Sequence, residues 1–132
     1  MLNQGFTNIT LIDIAPMAVE NLQKKFQGVK EIKILCEDFF EHNEKYDIII
    51  EQTFFCALPP TLRPKYVWKM HQLLHSTGKL VGLLFNRHFQ HTPPPFGGTK
   101  EEYEQLFKGV FSWSDLKTTD QSIEPRMGSE LW

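Results

Sequence analysis

Short apolar runs alternate with segments of helical period along this chain. Residues 8–14, rich in β-branched and aliphatic side chains, predict a strand ending at Asp13. Pro16 suits the first turn of a helix whose inner face carries Ala18, Val19, Leu22 and Phe26 and which Gly28 closes. Ile32–Cys36 predicts a second strand, running into Asp38. The third is the Tyr46-Asp47-Ile48-Ile49-Ile50 run, whose three adjacent isoleucines predict cover on both faces. Thr61 is the expected cap of a helix with Tyr66, Val67, Met70, Leu73 and Leu74 at core spacing. Gly78 ends that region, and residues 79–85 predict a fourth strand. Thr99 and Glu102 form a capping-box pattern that opens a short helix to about Lys108, before Gly109. Residues 110–132 are mixed, with weak strand signals near each end.

Strand and helix alternating at this spacing predict an α/β sheet with right-handed crossovers, and 132 residues suffice for one domain with its own core. Both ends read as cut. Residues 1–6 resemble the last turn of a helix, with Gly5 as left-handed cap and Met1 and Phe6 in the accompanying apolar contact, and residues 129–132 read as a strand just begun.

Charge and composition narrow the class. A net charge of −2 and scattered basic residues disfavour a nucleic-acid binder. No apolar run approaches membrane-spanning length, and the first residues lack a signal-peptide pattern. Cys36 and Cys56, both in apolar stretches, suit a reducing compartment, so a cytoplasmic protein is expected.

The stretch Asp47-Ile-Ile-Ile-Glu-Gln-Thr-Phe-Phe-Cys-Ala-Leu-Pro-Pro60 passes from a strand into polar and then aromatic residues. In open α/β sheets, ligands bind just past the carboxyl ends of strands. Asp13, Asp38 and residues 51–60 occupy that position after three successive strands. Asp13 is either a ribose acceptor or the cap of the helix near Pro16; Asp38 with Phe39 is either an adenine site or a turn beside a core ring. Phe54 and Phe55 are either pocket walls, able to face a cation, or plain core.

That arrangement resembles the S-adenosylmethionine-dependent methyltransferases. More narrowly, residues 54–85, the Pro93-Pro-Pro-Phe-Gly-Gly-Thr-Lys-Glu-Glu-Tyr-Glu-Gln-Leu-Phe107 segment and the late Ser122-Ile-Glu-Pro-Arg-Met-Gly-Ser-Glu-Leu-Trp132 segment are similar to the thiopurine and thiol/halide methyltransferase family. The resemblance implies a Rossmann-like α/β methyltransferase sheet with helices on both faces, here lacking the family's first strand and glycine-rich loop. Those are expected upstream of Gly5, and no G-x-G occurs in the chain. It follows that the sheet has an edge or gap where that strand belongs, to be covered by another chain, a swap or local disorder.

The resemblance also implies S-adenosyl-L-methionine as cofactor and methyl transfer to a small nucleophile, a thiol or other sulfur compound or a halide. It assigns Asp13, Ile14, Asp38, Phe39, Glu51, Thr53 and Phe54 to the cofactor and Phe55, Arg87, His88 and Phe96 to the acceptor. Residues 93–98, stiff prolines before two glycines, are expected to close over the acceptor. A thiol near pKa ~8.5 is already partly thiolate at neutral pH, so no catalytic dyad is required. Two other readings stay open: an inactive methyltransferase-like binding module, and a different nucleotide-binding α/β domain.

Cys56 is rejected as a nucleophile, because sulfonium methyl transfer needs no covalent enzyme intermediate. His71 and His75, with His88 and His91, lack a third ligand at suitable spacing, which disfavours metal. Arg126 is expected in a structural ion pair with Glu130 or another carboxylate.

Overall fold

Residues 1–112 and 115–132 are described in the computed structural model, and they fall into two units, Met1–Asn43 and Glu44–Trp132. Trp113 and Ser114, inside the mixed carboxyl-terminal segment, lie outside the described residues.

The first unit is a strand–helix–strand. Strand β1 (Ile9–Asp13) and strand β2 (Ile32–Cys36) pair in parallel, with Asp13 opposite Cys36. Helix α1 (Pro16–Lys25) connects them; it carries Pro16 in its first turn and Lys24 and Lys25 in its last, where cations suit the helix dipole. Gly28 takes the left-handed conformation (φ 80°) that follows the helix. Ahead of β1, a 3-10 turn at Leu2–Gln4 stops at Gly5 (φ 86°), with Gly5 N–H donating to Leu2 and Phe6 N–H to Met1. These are the two bonds of a Schellman stop, although Met1 and Phe6 both stay exposed.

In the second unit, strand β3 (Tyr46–Gln52) pairs in parallel with strand β4 (Leu74–Phe85) through helix α2 (Arg63–Leu73), and strand β5 (Glu130–Leu131) adds to β4 antiparallel. Helix α3 (Lys100–Lys108) opens with the full capping box: Thr99 accepts from Glu102 N–H while Glu102 accepts from Thr99 N–H. The apolar faces of α2 and α3 and the end of β4 supply the core, in which Tyr66, Val67, Phe55, Tyr103 and Leu131 are sealed.

Three expectations are corrected. The isoleucine run is not covered on both faces: Ile48 and Ile50 are exposed, and the buried residue of β3 is Glu51. Thr61 caps nothing; it lies in a 3-10 turn (Pro60–Leu62), and α2 starts at Arg63 without a side-chain cap. Strand β4 begins directly at Leu74, not after Gly78. Its register with β3 shifts between Tyr46 and Ile48, accommodating residues 75–78, and a Cβ on Gly78 would crowd the Tyr46 carbonyl at 2.9 Å.

The five strands form two ladders, β1–β2 and β3–β4–β5, and no strand pairing joins them among the described residues. An edge or gap in the sheet was the expectation, and no pairing among the described residues closes one. No helix among the described residues is long and apolar enough to cross a membrane.

Candidate functional site

In the first unit, Asp13 ends β1 with one carboxylate oxygen accepting from the Ala15 N–H at 2.8 Å, which fixes the entry to α1. Its other oxygen has no protein partner among the described residues. Beside it Ile14 and Met17 are 68% and 69% exposed, an uncovered apolar patch next to an open acceptor. Asp38 makes the same kind of turn after β2, its Oδ1 taking the Phe40 N–H at 2.8 Å, and it stays exposed. Phe39 is half-buried and meets Phe40 edge to face. Both aspartates therefore build turns, and each has one carboxylate oxygen without a protein partner among the described residues.

In the second unit, the opening of the 51–60 stretch is organised by Glu51. Its side chain is buried, and its Oε1 accepts the N–H groups of Phe54 (2.8 Å) and Phe55 (3.0 Å). Oε2 is buried with no partner. Burial pushes the Glu51 carboxyl above its usual range, opposed by those two N–H bonds. Gly82, opposite in the ladder, makes the room: a Cβ there would lie 3.3 Å from Oε2 and 3.0 Å from the Glu51 carbonyl oxygen. Glu51 thus faces inward, and its visible work is to shape the turn that follows. Within that turn Thr53 takes a positive φ of 69°, a strained conformation for a β-branched residue, and its side chain is exposed.

The two phenylalanines separate. Phe55 is 1% exposed and packs against Tyr66 (5.1 Å between ring centres) and Tyr103 (5.4 Å), so it is core. Phe54 is half-buried, 5.9 Å from Tyr66, and is the more exposed ring of the two. Cys56 is buried, its thiol donating to the Thr53 carbonyl at 3.1 Å, and burial raises its pKa; it is a neutral packing group.

The loop after β4 folds back on this turn. Phe96 N–H donates to the Cys56 carbonyl at 2.6 Å, and Gly98 N–H to Arg87 at 3.0 Å. Any side chain on Gly97 would collide with the Arg87 carbonyl, so that glycine is required by the close approach. The loop borders an open, solvent-accessible cavity of about 460 Å³ whose lining includes Arg63, His88, Phe89, His91, Pro95 and Phe96. Of the expected acceptor residues, His88 and Phe96 line it. Arg87 stacks on Phe89, 4.9 Å from the ring centre, and does not line that cavity; Phe55 lies beneath the turn.

Arg63 was missed in the sequence. It stands three residues before Tyr66 and four before Val67, on the buried stripe of α2, so a charged residue at a core position was the available signal. It donates to the Gly97 carbonyl at 2.9 Å and lies over the Phe55 ring at 4.7 Å. Arg126 pairs with the buried Glu130 at 3.4 Å and covers the Phe85 ring, a structural role as expected.

The family model for thiopurine S-methyltransferase matches residues 2–130. A probable thiol methyltransferase 2 of Arabidopsis thaliana is 35% identical over 90% of this chain and 55% of its own length. A thiocyanate methyltransferase 1 of Brassica oleracea is 29% identical over the same shares. Among solved structures, a SAM-dependent methyltransferase from Leishmania major superposes with a TM-score of 0.79 at 12% identity, over 99% of this chain and 56% of that one. The chain spans about half the length of the curated relatives it matches. Its fold is that of the Rossmann-like methyltransferases, and with a family match running through both units it belongs to the thiopurine S-methyltransferase family.

Proposed function

We propose that this chain carries the adenosine-binding and acceptor-binding parts of an S-adenosylmethionine-dependent methyltransferase that acts on a small sulfur nucleophile. The observation that carries the reading is the family match across residues 2–130, which includes the carboxyl ends of β1, β2 and β3 and the residues that follow them. Relatives named for thiols and thiocyanate support sulfur as the accepting atom.

The residues present suit part of the cofactor. The free oxygen of Asp13 has the chemistry to accept both ribose hydroxyls, and exposed Ile14 offers an apolar surface to a ring. Asp38 and Phe39 suit an adenine edge and face. Nothing here matches the methionine end, since the chain contains no G-x-G. When bound, S-adenosylmethionine would supply an electrophilic methyl carbon to the acceptor sulfur, whose lone pair would form the new S–C bond while the electrons of the broken sulfonium C–S bond would leave with the neutral thioether. The protein's part is alignment and exclusion of water. Glu51 sets the turn bearing Phe54, and the 87–98 loop shapes the acceptor cavity. A second oxygen left open on Asp13, and a turn carboxylate that faces inward, argue for orientation rather than general base catalysis.

The two units then serve one methyltransferase domain, in the reducing cytoplasm that two free cysteines suit. The open edges of β1 and β3 supply a route to self-association. Calorimetric titration with S-adenosylhomocysteine tests the assignment: micromolar binding that Asp13→Ala weakens at least tenfold supports it. Binding unaffected by that substitution removes Asp13 from the site, and no binding denies this chain a functional cofactor site.

A further inference from the structure

Of residues 37–42, which carry the chain past the end of β2, His42 alone is buried, at 4% exposed. It is also the one buried polar residue of the first unit, where Ile9 and Val19 are the buried apolar ones. A polar ring withdrawn from water needs a partner. Its Nδ1 donates to Oε1 of Glu37, whose side chain is 39% exposed.

That pair closes a ring around the segment bearing Asp38 and Phe39. Inside it the backbone is already folded. Phe40 N–H donates to Asp38 Oδ1 at 2.8 Å, Glu41 N–H to the Asp38 carbonyl at 2.9 Å and His42 N–H to the Phe39 carbonyl at 3.3 Å. Those bonds shape the turn, but they lie within it and do not fix where it stands. Glu37 does that. Its N–H donates to the Asp13 carbonyl at 3.2 Å, and its carboxylate holds the buried foot of the turn. One residue therefore joins the end of β1, where Asp13 stands, to the segment that presents Asp38. Packing alone would be served by a leucine at position 42; what a histidine adds is a directional bond, and such bonds hold neighbouring groups in register.

We infer that the His42–Glu37 pair is a positioning device for a bound nucleobase, setting the Asp38 carboxylate where it accepts from an exocyclic amino group. The inference rests on the methyltransferase reading for naming that base adenine. Its consequence is selectivity. A well-placed acceptor favours a base with an amino donor at that edge over one with a carbonyl, which turns a lone pair toward the carboxylate.

The test compares calorimetric binding of S-adenosylhomocysteine with that of S-inosylhomocysteine, whose base carries a carbonyl in place of the amino group. In the unaltered chain the adenine compound is expected to bind roughly tenfold tighter or more. His42→Leu keeps apolar bulk but breaks the pair, and the preference should fall about threefold or more. His42→Asn, whose side-chain amide nitrogen replaces Nδ1, should restore it. Glu37→Leu should act as His42→Leu does, and combining the two should lower the preference little further. A merely structural histidine predicts equal losses for both compounds and an intact preference, and that result overturns the inference. Absence of any preference in the unaltered chain overturns it as well. If His42→Leu does not fold, Glu37→Leu against Glu37→Gln, at a half-exposed position, decides in its place. Binding of neither compound by the unaltered chain defeats the methyltransferase reading and the adenine assignment with it; binding with an undisturbed preference in the variants defeats the positioning role alone.

Discussion

The two units solve the same topological problem with very different cores. In the first, β1, α1 and β2 form a parallel pair with its crossover, but Ile9 and Val19 are the only buried hydrophobic residues. In the second, the same strand–helix–strand plan is supplemented by α3, β5 and an aromatic cluster around Phe55, and the other buried hydrophobic residues lie there. A common local plan therefore need not carry a common stability, because packing contributes more than pairing to a strand–helix–strand unit. The candidate residues divide along the same line. The open aspartates lie on the sparsely packed unit and the sealed Arg63 on the dense one.

The contrast is tested most severely by Phe55→Ala. Removing a sealed ring should cost about 3–5 kcal/mol of the second unit's stability, read from urea unfolding. A loss below ~1 kcal/mol would show that the aromatic cluster is not its organising core. In the first unit, Val19→Ala removes two methyl groups, worth about 1.6 kcal/mol at ~0.8 kcal/mol each. Hydrogen exchange in that variant should quicken at β1 and β2 and leave β4 unchanged. Before any substitution, β1 and β2 amides should already exchange faster than those of β4; equal protection would dissolve the comparison.

The smallest expected effect concerns Glu51. Its folded pKa is raised from 4.5, chiefly by burial, so folding favours the protonated form. That contribution is fully present below the unfolded carboxyl's pKa and is lost as pH rises through the raised folded value. Stability of the second unit should accordingly fall over that interval and level off above it. Glu51→Gln, which keeps an acceptor for the Phe54 and Phe55 N–H groups, should flatten that part of the profile. An unchanged profile would assign the pH dependence elsewhere.

Where the sequence was legible, local chemistry decided the outcome. Pro16 at a helix start, Thr99 with Glu102, and the glycine at position 5 act within a few residues, and each appears in the predicted role. The strand expected at about Ile32 to Cys36 spans Ile32–Cys36. The isoleucine run misled because a buried parallel strand requires a neighbour on each edge and layers on both faces, and β3 pairs on one edge alone. Thr61 misled because Pro60 and the 3-10 turn postpone the helix, a contest between adjacent turns that composition does not resolve.

At the site, the strand-end aspartates were legible because their position follows from strand order. The separation of Phe54 from Phe55 was not, since it depends on one carboxylate gathering two successive N–H groups. Arg63 was hidden for a related reason. Its meaning comes from Gly97, thirty-four positions later, and from ring faces that only the folded chain assembles.

The antiparallel pairing of Leu131 with Leu84 carries a consequence for the order in which the chain is made. Both strands of the first unit have been synthesised once residue 36 is added, whereas the second unit's core waits for Leu131, which is fully buried in it. At roughly 5–20 residues per second, the stretch from the end of β4 to β5 takes about 2–9 s to translate. During that interval the outer edge of β4 stands unpaired at Leu84 and Phe85. The nascent protein thus spends seconds with its best-packed unit unfinished while the residues of its sparsest one have already been made.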